Sequence, residues 1–160
     1  MLYITKMASA ILCLGCATAA WSADYKVKRS IEIPVSSTQA WHLIGDFCDI
    51  DDWHPSVNAC SLRVLDGSLV RVLSSNGRED VAQKRIARES GLSYTYKSIN
   101  SNLPIENFVS TLSVEPGNKA RIEWSANFSS EDPAMEKLVV QEIETGMSAI
   151  EQILTGRGQQ

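Results

Sequence analysis

One long amphipathic stretch at the C-terminal end constrains this chain more than anything else in it. Asp132-Pro133 opens the stretch, with Asp132 suited to an N-cap and Pro133 to the first helical position. Met135, Leu138, Val139, Glu142, Ile143, Gly146, Met147, Ile150, Ile153 and Leu154 then recur at three-and-four spacing, and Gly156 closes the run. This predicts a single helix of about six turns with one apolar stripe. Such a stripe must be buried against something, and the rest of the chain offers it mainly strands.

Those strands are read from period-two alternation and from turn dipeptides. Tyr25, Val27, Arg29, Ile31 and Ile33 share one face of a first strand ended by Pro34, with Arg29 the odd member. Ser36 to Gln39 forms a capping box, so a short helix follows. It carries Ala40, Trp41, Leu43 and Ile44 and stops near Gly45 to Phe47; a second short turn covers Asp49 to Asp52, ahead of Pro55. Six further strands are expected over Ala59–Leu65, Ser68–Ser74, Asp80–Arg88, Leu92–Ile99, Glu106–Val114 and Lys119–Phe128. The turns fall at Asp66-Gly67, Asn76-Gly77, Ser90-Gly91 and Pro116-Gly117-Asn118. The fold class is therefore α+β: a curved antiparallel sheet of about seven strands, two short N-terminal helices and one long C-terminal helix held in the concave face. Where sheet and helix diverge, a ligand cavity is expected.

Residues 1–23 read as a signal peptide rather than as fold. Lys6 is the sole charge before the apolar, small-residue run Ala8–Ala20, which is too short to span a bilayer. Cleavage after Ala19, Ala20, Ser22 or Ala23 all fit, and a retained amphipathic start and a lipoprotein site at Leu14-Gly15-Cys16 are alternatives. The domain then spans 24–156, with 157–160 a disordered tail, and the expected location is periplasmic or secreted. Loss of the leader removes one Lys and no acid, taking the formal net charge from −4 to −5. That argues against nucleic-acid binding and against an electrostatic membrane anchor. Cys48 and Cys60 remain as an even pair, which in an exported chain points to a disulfide; two buried thiols are the alternative. No metal or cofactor is expected: His42 and His54 with two non-adjacent cysteines do not make a zinc site.

The stretch Gly45-Asp46-Phe47-Cys48-Asp49-Ile50-Asp51-Asp52-Trp53-His54-Pro55 is the densest in chemistry. His54 is a weak candidate for a general acid or base, with Asp46, Asp49, Asp51 or Asp52 as partner. The competing role is a packed ring beside Trp53 whose nitrogen caps a backbone group. The four acids lack the spacing of a calcium loop. Arg29 and Arg71 lie in apolar strand contexts and need a partner, either an internal acid such as Glu142 or an anionic ligand. Tyr94, Tyr96, Phe108 and Trp124 are core aromatics or cavity walls. No Gly-x-Ser-x-Gly or glycine-rich phosphate loop occurs.

Taken in order, several of these elements resemble the START/birch-allergen-like superfamily (SRPBCC), the polyketide cyclase/dehydrase and lipid-transport group. They are Trp41 on the first helix, Trp53-His54-Pro55 between Cys48 and Cys60, Arg71-Val72-Leu73, Leu103-Pro104-x-x-x-Phe108 and Trp124 to Phe128. The resemblance runs from about Tyr25 to Leu154 and is nearest to a branch of small, often exported bacterial proteins. One departure is Lys84-Arg85-Ile86, where the branch often has Glu-Arg-hydrophobic. The resemblance implies a helix-grip fold and an internal cavity for a small apolar or amphipathic molecule. Trp53, His54, Arg71, Tyr94, Tyr96, Phe108, Trp124 and Arg29 would be the ligand-binding set, with the Trp53-His54-Pro55 loop as gate. A binding protein, carrier or sensor, is the leading expectation. A cyclase/dehydratase-like enzyme using His54 and an accessory partner of a periplasmic oxidoreductase system, such as methanol oxidation, are the alternatives.

Overall fold

The computed structural model describes residues 22–75, 78–88 and 92–156. The elements run β1 (Ala23–Ile33), α1 (Ser37–Ile44), α2 (Ile50–Trp53), β2 (Ala59–Leu65), β3 (Ser68–Ser75), β4 (Arg78–Arg88), β5 (Ser93–Ser101), β6 (Glu106–Glu115), β7 (Ala120–Ser130) and α3 (Ala134–Thr155). All seven strands form one antiparallel sheet in the order β1-β7-β6-β5-β4-β3-β2. From β2 to β7 the sheet is a meander, and β1 crosses over to pair with β7 (Val27 opposite Ala126). Most of the expected leader, the Asn76-Gly77 and Ser90-Gly91 turns and the 157–160 tail lie outside the described residues.

Local chemistry accounts for the element ends. Asp66 and Gly67 take φ of 48° and 71°, the left-handed pair that a two-residue hairpin between β2 and β3 requires. Ser36 Oγ accepts from the Gln39 N–H at 3.2 Å, and the Gln39 side chain accepts from the Ser36 N–H at 3.3 Å, completing the capping box of α1. Asp132 acts one residue further out than expected. Its carboxylate accepts from the Ala134 N–H at 2.9 Å, while Pro133 takes the cap position itself. Gly156, at φ 69°, closes α3 by donating to the Gln152 and Ile153 carbonyls.

The apolar stripe of α3 is buried at Met135, Val139, Ile143, Met147 and Ile150. Each contributes about 1.5–3 kcal/mol by leaving water, an upper estimate. It meets the inner face of β7, where Ala120, Ile122, Trp124, Ala126 and Phe128 are buried in strict alternation. α3 lies closest to β1, with β7 and α2 beside it. The β3–β5 side of the concave face is therefore left uncovered by the helix. That offset is the origin of the cavity.

Candidate functional site

A cavity of about 230 Å³ occupies the space that α3 leaves over β3, β4, β5 and β6. Its lining grades from buried to exposed. Arg71, Gln83, Tyr96, Ser110 and Trp124 are buried, whereas Ser56 and Leu103 are exposed at the rim. Ile50, Leu73, Val139 and Ile143 make much of the wall apolar.

Arg71 sits at the closed end, 1% exposed. Period-two geometry puts it on the same face of β3 as Leu73, and its register partner is Gln83 on β4. Nε donates to Gln83 Oε1 at 2.8 Å and Nη1 to the Phe47 carbonyl at 2.8 Å. The Phe47 and Tyr96 rings each lie 4.5 Å from the guanidinium carbon, a cation–π pairing. Tyr94 closes the cluster, and burial pushes its phenol up to about 12 against the opposing pull of Arg71. Among the described side chains no carboxylate forms an ion pair with Arg71. Its partners there are all neutral.

His54 is 5% exposed and held at both nitrogens. Nδ1 accepts from the Ser56 N–H at 3.2 Å, and Nε2 faces the Glu142 carbonyl of α3 at 3.1 Å. These partners assign the neutral tautomer with hydrogen on Nε2. Burial lowers the imidazole pKa, and the Arg71 charge pushes the same way against the pull of Glu142. The close approach depends on Gly146, where a Cβ would fall 2.7 Å from His54 Cδ2 and from Trp124 Cζ3. Trp124 Nε1 donates to Ser110 Oγ at 2.9 Å and to the Tyr96 hydroxyl at 3.3 Å, while Ser110 Oγ donates to the Ser125 carbonyl at 2.7 Å. Trp53 packs edge-on against Trp124, with ring centroids 5.7 Å apart, and its indole N–H is the one buried side-chain polar atom without a partner among the described residues.

The α2 turn that carries His54 is tied to the edge strand β2. Cys48 and Cys60 form a disulfide, with Cα atoms 5.5 Å apart, and the Cys60 N–H donates to Asp51 Oδ2 at 2.8 Å. Burial raises the Asp49 pKa, helped by the Asp46, Asp52 and Asp51 carboxylates. No cluster of three or more His, Cys, Asp or Glu side chains able to hold a metal occurs among the described residues.

The structure brings His54, Arg71, Tyr96, Phe108 and Trp124 to one cavity. It places three other candidates elsewhere. Trp53 and Tyr94 are buried but do not line the cavity. Arg29 does not reach the cavity: Nε pairs with Glu144 at 2.7 Å on the half-exposed flank of α3. The acid that pairs with Arg29 is therefore Glu144, not Glu142. Nor does any of Lys84, Arg85 or Ile86 line the cavity, so that departure carries no charge to it. Trp53 is packed against Trp124, and His54 is held by hydrogen bonds at both nitrogens, so both are fixed in this structure. Sequence reasoning missed Gln83 and Ser110. Alternation from Val81 to Gln83 and from Phe108 to Ser110 was the available signal.

A curved sheet gripping a helix that leaves an apolar pocket with a buried cation defines the class: a helix-grip protein with an internal cavity. Residues 24–155 match the family described as polyketide cyclase / dehydrase and lipid transport. The chain belongs to that family. No curated protein matches it. Among solved structures it is similar to the protein XoxI from Bacillus cereus (27% identity, 84% of this chain and 99% of that one, TM-score 0.72). An uncharacterized protein from Bacillus thuringiensis is comparable (26%, 82% and 99%, TM-score 0.72). The Zhui aromatase/cyclase from Streptomyces sp. R1128 (10%, 86% and 97%, TM-score 0.71) shares the fold alone. Among the described residues no helix is long and apolar enough to cross a membrane.

Proposed function

We propose that this protein is an exported binding protein that holds one small apolar or amphipathic molecule in the cavity, carrying or sensing it without transforming it. One observation carries the reading: a 230 Å³ pocket, largely apolar, ends on a buried arginine whose described partners are all neutral. A core that needed only stability would fill such a space, since each void costs packing energy. The apolar wall takes the body of the ligand, and Arg71 orients its polar end. Both nitrogens of the one histidine lining the cavity are occupied, which argues against His54 as a catalytic base. The disulfide and the apolar leader support an oxidising, extracytoplasmic setting. Native mass spectrometry of protein taken from its host's periplasmic extract is the test. A stoichiometric small molecule released on collisional activation is expected. Protein that is reproducibly empty, or absent from that extract, refutes the reading.

A further inference from the structure

The charges around the cavity define its occupant more narrowly, resting on the binding role proposed above. Two ionisable side chains of fixed sign line the wall, Arg71 and Glu142, while His54 is held neutral by its two hydrogen bonds. They differ in depth: Arg71 is 1% exposed, whereas Glu142 on α3 is half-buried. Glu142 forms no salt bridge with Arg71. The closed end is therefore cationic.

A guanidinium has five N–H donors in a planar fork. Here Nε is used on Gln83 and Nη1 on the Phe47 carbonyl, with Tyr94 beside them and two aromatic rings against the guanidinium. These contacts orient the group without neutralising it. A buried charge without a counter-charge is costly, and carboxylate geometry matches the fork. A neutral ligand would leave that cost in place; an anion entering head first from the Ser56–Leu103 rim would remove it.

Size sets the second limit. A dry cavity of about 150 Å³ admits benzene, so 230 Å³ has room for one ring with a short tail, or an alkyl chain of similar bulk. Tyr96, Phe108 and Trp124 supply flat apolar walls for it. We propose that the cavity is built for an organic monocarboxylate of this size, seated with its carboxylate on Arg71 and its apolar body toward the rim. A second negative charge on the body would meet Glu142, so dicarboxylates are excluded.

The test compares charge at constant shape by calorimetric titration of the disulfide-bonded protein. trans-Cinnamate is set against its methyl ketone, benzylideneacetone, and octanoate against 2-nonanone. At neutral pH the wild type is expected to bind the better carboxylate about ten- to a hundredfold more tightly than its ketone, the range for a hydrogen bond to a charged group. Arg71→Met removes that preference while the ketone still binds; Arg71→Lys keeps part of it. Ketones binding as tightly as the acids in the wild type would overturn the carboxylate assignment and leave the cavity's binding role standing. No binding of either carboxylate would also overturn it, and an empty protein in the native mass spectrum would then remove the binding role as well. The wild-type ratio decides the matter even if Arg71→Met does not fold.

Discussion

Gly146→Ala sets two effects of opposite sign against each other. In the interior of α3 the change should stabilise by about 1 kcal/mol, because alanine loses less backbone entropy than glycine. The structure opposes this. The new methyl would sit 2.7 Å from His54 Cδ2, 2.7 Å from Trp124 Cζ3 and 2.9 Å from His54 Nε2. Neither ring is free to withdraw: His54 is fixed at both nitrogens, and the Trp124 N–H is held by Ser110 and Tyr96. Overpacking of this kind costs about 1–3 kcal/mol, and losing the His54–Glu142 hydrogen bond adds about 1 kcal/mol. The net expectation is a loss of about 1–3 kcal/mol, or a fall in Tm of about 4–10 °C for a domain of this size. Thermal denaturation followed by circular dichroism reads it directly. His54→Ala in the same background should recover part of the loss, because one of the two clashing rings is gone. A Gly146→Ala protein as stable as wild type, or more so, would refute the packing argument, since helix propensity alone predicts that result.

Further outcomes follow from other contacts. His54 is buried neutral with a lowered pKa, so the unfolded chain takes up a proton below its ordinary 6.5 that the folded chain resists. Stability is therefore full above about pH 6.5 and falls on acidification by up to about 1.4 kcal/mol per pH unit. His54→Phe should flatten that slope in urea titrations between pH 5 and pH 7, and an unchanged slope would reject the assignment. Asp49, whose pKa is raised, acts in the opposite sense at lower pH, because its folded form gains the proton first. Replacing Cys48 and Cys60 together by serine should cost about 3 kcal/mol, given a sequence separation of 12; a denaturation midpoint insensitive to both the substitution and reductant would contradict this. Trp124→Phe should destabilise more than Trp53→Phe, because Trp124 loses hydrogen bonds to Ser110 and Tyr96 while the Trp53 N–H has none to lose. Equal losses in denaturant titration would show that ring packing alone matters.

The sheet and its helix were legible because alternation and turn dipeptides encode them locally. β2 was placed to the residue, and the inner face of β7 was read from its alternation. The cavity was only half legible. Alternation identifies an inward residue but not which part of the inner face the helix covers, and that depends on the lateral offset of α3 toward β1. Tyr94 and Tyr96 share a face, yet only Tyr96 reaches the cavity. Arg29 and Arg71 look alike in sequence, each a lone cation on an otherwise apolar strand face. One lies on β1 beside the polar flank of α3 and finds Glu144; the other lies on β3, where no described carboxylate forms an ion pair with it. His54 was ambiguous because the two backbone groups that fix its nitrogens come from its own loop and from α3, 88 residues away in sequence.

The pairing of β1 with β7 has a consequence for biogenesis. Among the described residues, β1 is the first strand to be synthesised, and its one neighbour in the sheet comes about a hundred residues later, with Val27 set against Ala126. Until β7 emerges from the ribosome, β1 has no strand to join, and α3, still further along, cannot yet cover the inner face. Such distant closure delays completion of the sheet, while the β2–β6 hairpins can pair locally. A polypeptide with this connectivity can close its sheet only once its last quarter has been reached.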